Sequence, residues 1–143
     1  MDYFIVDLIE GKKVAIPLHQ VQEVMNINYG DICPIPGVNH SLLGVTNHRG
    51  NFLWILELSN LLFNQSLPNL TLNSLTILLT KIKHNNLGLV VQKLGEIKAF
   101  SDLNTSLANN TLNLNPNYYQ DIIPDSQNIP ILNLINIQNS LNR

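Results

Sequence analysis

SLLGVTNHRGNFLWILEL, residues 41–58, holds two apolar runs separated by Asn47-His48-Arg49-Gly50. Asparagine tolerates left-handed backbone and glycine adopts it without steric cost, so these four residues suit a tight turn. The flanking runs then pair as a β-hairpin.

Working downstream, Leu58, Leu61 and Leu62 keep helical spacing as far as Phe63. The polar stretch NQSLPNLTLNS, residues 64–74, has no sustained period and reads as an internal boundary. After it come LTILLTKI, a turn at His84-Asn85-Asn86, LGLVVQKL, Gly95 and EIKAF. Residues Ser101 to Asn117 mix Asn and Leu without a firm period and predict a long loop around a weak helix or strand. Asp121 to Pro124 and Ile129 to Leu134 predict two further strands, and Leu134, Ile137 and Leu141 a short terminal helix.

Upstream, Pro34, Pro36 and Gly37 predict a loop or edge strand, since proline removes a donor and biases its predecessor toward extended backbone. Cys33, between Ile32 and Pro34, is expected to be a small buried hydrophobe rather than a nucleophile. From His19 to Met25 the period changes: Val21, Val24 and Met25 stand three and four apart, which predicts two turns of helix with Gln20, Gln22 and Glu23 outside. Before it, YFIVDLI and KVAIPL flank Glu10-Gly11-Lys12 and predict a first hairpin. Short strands at this spacing favour a barrel or sandwich, an all-β fold with short helices, over a parallel sheet with long crossovers.

The 143 residues suffice for one domain with its own core, or two very small subdomains sharing one. Charged residues make up only 13%, and asparagine, at about one residue in seven, supplies much of the polar surface. A net charge of -2 with eight scattered basic residues gives no stripe for phosphates, so nucleic acid is not an expected partner. One cysteine makes no internal disulfide, and MDYFIVDLIEGKK is broken at Asp7, unlike a secretory signal; the reading is a cytoplasmic protein. No apolar stretch approaches the roughly 18 residues a membrane helix needs, so no insertion into a membrane is expected. The start at Met1 and charged end at Arg143 favour a complete chain.

Acids, bases and nucleophiles do not gather. His19, His40, His48 and His84 lie in separate contexts without HxH or HExxH spacing, and a zinc set of Cys33, His40 and His48 would need distant loops to converge. GxSxG, P-loop and GxGxxG strings are missing, and the carboxylates are spread singly. What stands out is Arg49 at the tip of the turn, in a chain whose other arginine is Arg143. Arginine's rigid fork of donors favours interfaces, although a solvated turn residue is the plainer reading. Glu23 is the natural opposite charge.

VQEV at 21–24, GVTNHRG at 44–50 and the strand ending Leu56-Glu57-Leu58 together resemble the core signature of the CheW family. LGLVVQKLGEI, residues 87–97, resembles a second signature, and PILNLINI a closing strand and helix, so the likeness spans essentially the whole chain. It implies one CheW-like domain of two small five-stranded SH3-like β-barrels on a shared hydrophobic core. The first barrel would lie mainly in residues 12–63, with a connecting segment at 64–74. The second would occupy 75–134, followed by a C-terminal helix at 134–141. The resemblance further implies an adaptor without cofactor or reaction, joining the regulatory domain of a CheA-type histidine kinase to the cytoplasmic tip of a methyl-accepting chemoreceptor at membrane receptor arrays. Arg49 and Glu23 carry over as a salt-bridged pair tied to receptor coupling, with Val45, Asn47, His48 and Gly50 in the same turn string. The family often has proline and aspartate at the positions of Trp54 and Glu57, and aspartate at that of Gln92. Trp54 is expected to be a core aromatic. A barrel binding single strands of nucleic acid, or a small enzyme of unknown substrate, are the rival readings.

Overall fold

The computed structural model describes residues 1–72, 74–100, 115–124 and 128–141. The weak element expected within 101–117 lies almost wholly outside the described residues. The strands are β1 (Asp2–Asp7), β2 (Lys13–Pro17), β3 (Val21–Asn28), β4 (Leu42–His48), β5 (Asn51–Glu57), β6 (Ser74–Ile82), β7 (Asn85–Val91), β8 (Lys93–Ala99), β9 (Tyr119–Ile123) and β10 (Ile129–Leu132). Helix α1 (Leu58–Phe63) and helix α2 (Leu134–Leu141) complete the described regular structure, apart from three short 3-10 turns.

Two five-stranded sheets result, in the orders β8-β1-β2-β10-β9 and β3-β6-β7-β5-β4. Neighbours are antiparallel except β2 with β10 and β5 with β7. Backbone pairing among the described residues leaves both sheets open rather than closing them into barrels. Each sheet takes strands from both sides of residues 64–74.

Period-2 alternation explains why both faces of each sheet are apolar. In the second sheet Leu53, Ile55, Leu75, Ile77, Leu79 and Val90 fill one side. The intervening Leu56, Leu78, Leu87, Leu89 and Val91 point the other way. They meet Val6, Val14, Ile16 and Leu132 of the first sheet there, forming the shared core. The opposite face of the first sheet carries Tyr3, Ile5, Ala15, Ile123, Ile129 and Ile131. Trp54 is half-buried and packs against the shared core, in line with its reading as a core aromatic.

Three local expectations are corrected. Residues 19–25 do not form a helix: Val21–Asn28 is a strand whose residues alternate half-buried and exposed, with Val21, Glu23, Met25 and Ile27 on the inner side. Strand β6 pairs along it from Val21↔Thr80 to Asn28↔Ser74, and this ladder overrides the three-and-four spacing. Cys33 is exposed, because it makes an antiparallel bridge with Val45 in which Ile32 takes the inward place and its neighbour faces out. The turn between β6 and β7 is Lys83-His84, with Ile82 paired to Asn85 and Lys83 left-handed at φ 58°.

Glu57, at the end of β5, is only 2% exposed, and its Oε2 accepts the Leu67 N–H at 2.7 Å. Burial raises its pKa above the ordinary 4.5, against the lowering effect of the Leu67 N–H and the Ser66 hydroxyl. A carboxyl that holds its proton more tightly when folded makes stability fall as pH rises through and above the ordinary carboxylate range. Glu57→Gln keeps an acceptor for Leu67 and should flatten that slope in urea melts between pH 4 and pH 7. An unchanged slope would show that Glu57 does not contribute.

Candidate functional site

The hairpin predicted at the outset forms with His48 paired to Asn51, leaving Arg49 and Gly50 as its two central residues. Both have positive φ, 52° and 83°, as the primed two-residue turns require. Asparagine is therefore not the left-handed residue. Asn47 instead accepts the Gly50 N–H on its Oδ1 at 3.1 Å, fastening the turn from one side. Arg49 takes a backbone conformation that costs a non-glycine residue about 1 kcal/mol, and its side chain stands 75% exposed.

The turn meets a strand from the far end of the same sheet. Strands β3 and β4 are the two edges of the second sheet and share no named pairing, so the seam between them is spanned by side chains. Glu23 reaches across from β3: its Oε1 lies 3.0 Å from His48 Nε2 and 3.3 Å from Arg49 Nη1, and its Oε2 lies 3.4 Å from Arg49 Nη2. Lower in the seam, the Thr46 hydroxyl donates to the backbone carbonyl of Asp31 at 3.0 Å. Glu23 is half-buried on the strand, not on the outer face of a helix.

Of the expected residues, Glu23, His48 and Arg49 come together, Asn47 and Gly50 build the turn, and Val45 does neither. It sits four residues back in β4, paired with Trp54 on one side and bridged to Cys33 on the other. Below the tip, Gly44 has φ 141°, and a Cβ there would lie 2.0 Å from the Cys33 carbonyl oxygen. This close approach lets the segment around Cys33 lie against β4.

The residue the sequence reading passed over is Phe52, opposite Asn47 and 81% exposed. It continues the Trp54 and Leu56 side of β5 beyond the end of the shared core, a placement recoverable from alternation once the hairpin is set. With Trp54, Val38, Leu42, Leu87 and Leu141 it lines an open cavity of about 620 Å³. No group of three His, Cys, Asp or Glu that could hold a metal ion occurs among the described residues. None of the described helices is long and apolar enough to cross a membrane.

A family model described as CheW-like domain matches residues 3–141. The chain belongs to the CheW-like family. Among solved structures, the scaffolding protein TtCheW from Thermoanaerobacter tengcongensis superposes with a TM-score of 0.76 at 17% identity, covering 92% of this chain and 88% of that one. At that identity the likeness concerns the fold, two SH3-like subdomains on one core. Comparison with curated proteins found no match. At the level of the family, CheW-like proteins are chemotaxis scaffolds rather than enzymes.

Proposed function

We propose that this CheW-like chain couples chemoreceptors to a CheA-type histidine kinase. It would hold the kinase regulatory domain and the receptor's cytoplasmic tip together in arrays at the inner side of the membrane. The observation that carries the receptor half of this reading is Arg49, presented at a hairpin tip in a strained conformation and tethered by Glu23. Glu10 and Lys83 share this left-handed backbone, so the tether from Glu23 is what sets Arg49 apart, and strain at an exposed residue supports a hypothesis of function. The exposed Phe52 supplies apolar ground near the cation, over a cavity of mixed lining in which Asn51, His84 and Gln138 stand beside Trp54 and Leu141, the mixture that an amphipathic helical tip would meet.

Because Arg49 is left-handed, Arg49→Gly gives a test in which stability and function move in opposite directions. Glycine relieves about 1 kcal/mol of strain, so the variant should melt no lower than the parent while receptor control of kinase activity is lost. Arg49→Ala should lose the same control. Intact receptor-dependent kinase regulation in both variants would remove Arg49 from the reading.

A further inference from the structure

The Glu23 carboxylate is shared unequally. A carboxylate only accepts, so the His48 nitrogen 3.0 Å from it is the protonated one, and Nε2–H donates to Oε1. Arg49 reaches the same group at 3.3 and 3.4 Å, beyond the 2.7–2.9 Å usual for a guanidinium on a carboxylate. The closer contact belongs to the residue that is three-quarters covered, the looser one to the residue that is three-quarters exposed.

We propose that His48 is a positioning residue for Arg49: by satisfying one oxygen of the half-buried Glu23, it keeps the guanidinium aimed at the tip yet leaves its donors free for a carboxylate on a partner. The side-chain donors placed on that carboxylate are those of His48 and Arg49. A carboxylate withdrawn from water requires donors. With His48 replaced by an apolar side chain, the demand falls on Arg49, which closes onto Glu23 and must be detached before it can bind a partner. The closed pair, still largely exposed, is worth up to about 1 kcal/mol, or about fivefold in affinity. Glutamine places an N–H donor at a comparable reach to Nε2, so His48→Gln preserves the arrangement while His48→Leu abolishes it.

The inference deepens the receptor-coupling reading and rests on it for the identity of the partner, but one readout needs no partner. The full chain has two arginines, Arg49 and Arg143, so side-chain 15N spectra resolve the Arg49 guanidinium and report rotation about Nε–Cζ. Rotation should slow in His48→Leu and stay as in the parent in His48→Gln; unchanged rotation in His48→Leu, or equal slowing in both, overturns the proposal. With a receptor cytoplasmic fragment as probe, His48→Leu should weaken binding about fivefold, His48→Gln should restore it, and His48→Leu in an Arg49→Ala background should add nothing. An equal loss in that background means that His48 does not act through Arg49, and contradicts the proposal. If the parent chain fails to bind the fragment at all, the receptor-coupling reading falls, and the rotation experiment alone upholds or overturns the role of His48.

Discussion

Gly44→Ala should destabilise the protein by about 3 kcal/mol or more, through strain plus lost hydrogen bonds. The φ of 141° lies where side chains other than glycine's rarely go, and the added Cβ would stand 2.0 Å from the Cys33 oxygen, 2.6 Å from its carbonyl carbon and 2.8 Å from Pro34 Cα. All three are backbone atoms, so no side chain can swing aside. Relief requires separating Cys33 from β4, which sacrifices the Cys33 N–H to Val45 carbonyl bond of 2.7 Å and its 2.9 Å reciprocal. Urea denaturation should show a lower midpoint with little change in slope. A midpoint within error of the parent would mean that the approach of Cys33 to β4 is not a feature of the folded chain. A folded remnant of this variant should also show a displaced hairpin tip, because β4 carries the turn.

Leu78→Ala should cost about 3 kcal/mol, within the span of buried leucine truncations. Leu78 is fully buried on β6, opposite Val24 of β3 and Leu89 of β7, on the face that meets the first sheet. Truncation opens a void between two sheets that are each braced by their own strand ladders, so neither can collapse into it freely. Against a total stability of about 5–15 kcal/mol for a domain, this is a large fraction. Leu78→Met keeps the volume and should cost under about 1.5 kcal/mol. If alanine were as harmless as methionine, the two sheets would not share a core at this point.

The strands that could be read locally were those dominated by apolar residues, such as Phe52 to Leu56 and Leu75 to Ile82. Strand β3 was misread for a physical reason. Its inner side is Val21, Glu23, Met25, Ile27, and a charged residue at an inward position breaks the period-2 pattern, leaving the three-and-four spacing of Val21, Val24 and Met25 as the stronger signal. The break falls at the residue that grips the turn, and conflicts between local pattern and fold are expected to gather at such sites. Cys33 was misplaced because its outward direction follows from a bridge to Val45, a partner its flanking residues do not specify. The distribution of strands between the sheets was equally hidden, since pairing such as β2 with β10 links distant segments and leaves no local trace.

Within the site, the turn string and the choice of Glu23 as the opposite charge were legible from residue type and order. The geometry was not. A left-handed arginine, a histidine as nearest donor and an exposed Phe52 each depend on the register of β4 with β5, in which His48 faces Asn51 and Asn47 faces Phe52. That register also shows why Asn47 and Gly50 are needed by the turn itself, whereas Arg49 works against the turn it occupies.

The most direct test of the adaptor reading is reconstitution of a CheA-type kinase with a receptor cytoplasmic fragment, with and without this chain, reading kinase activity together with co-sedimentation of all three. The receptor fragment should control the kinase only when the chain is present, and the chain should bind the kinase regulatory domain and the receptor fragment at the same time. A chain that binds neither, or receptor control that is indifferent to its presence, would contradict the adaptor reading.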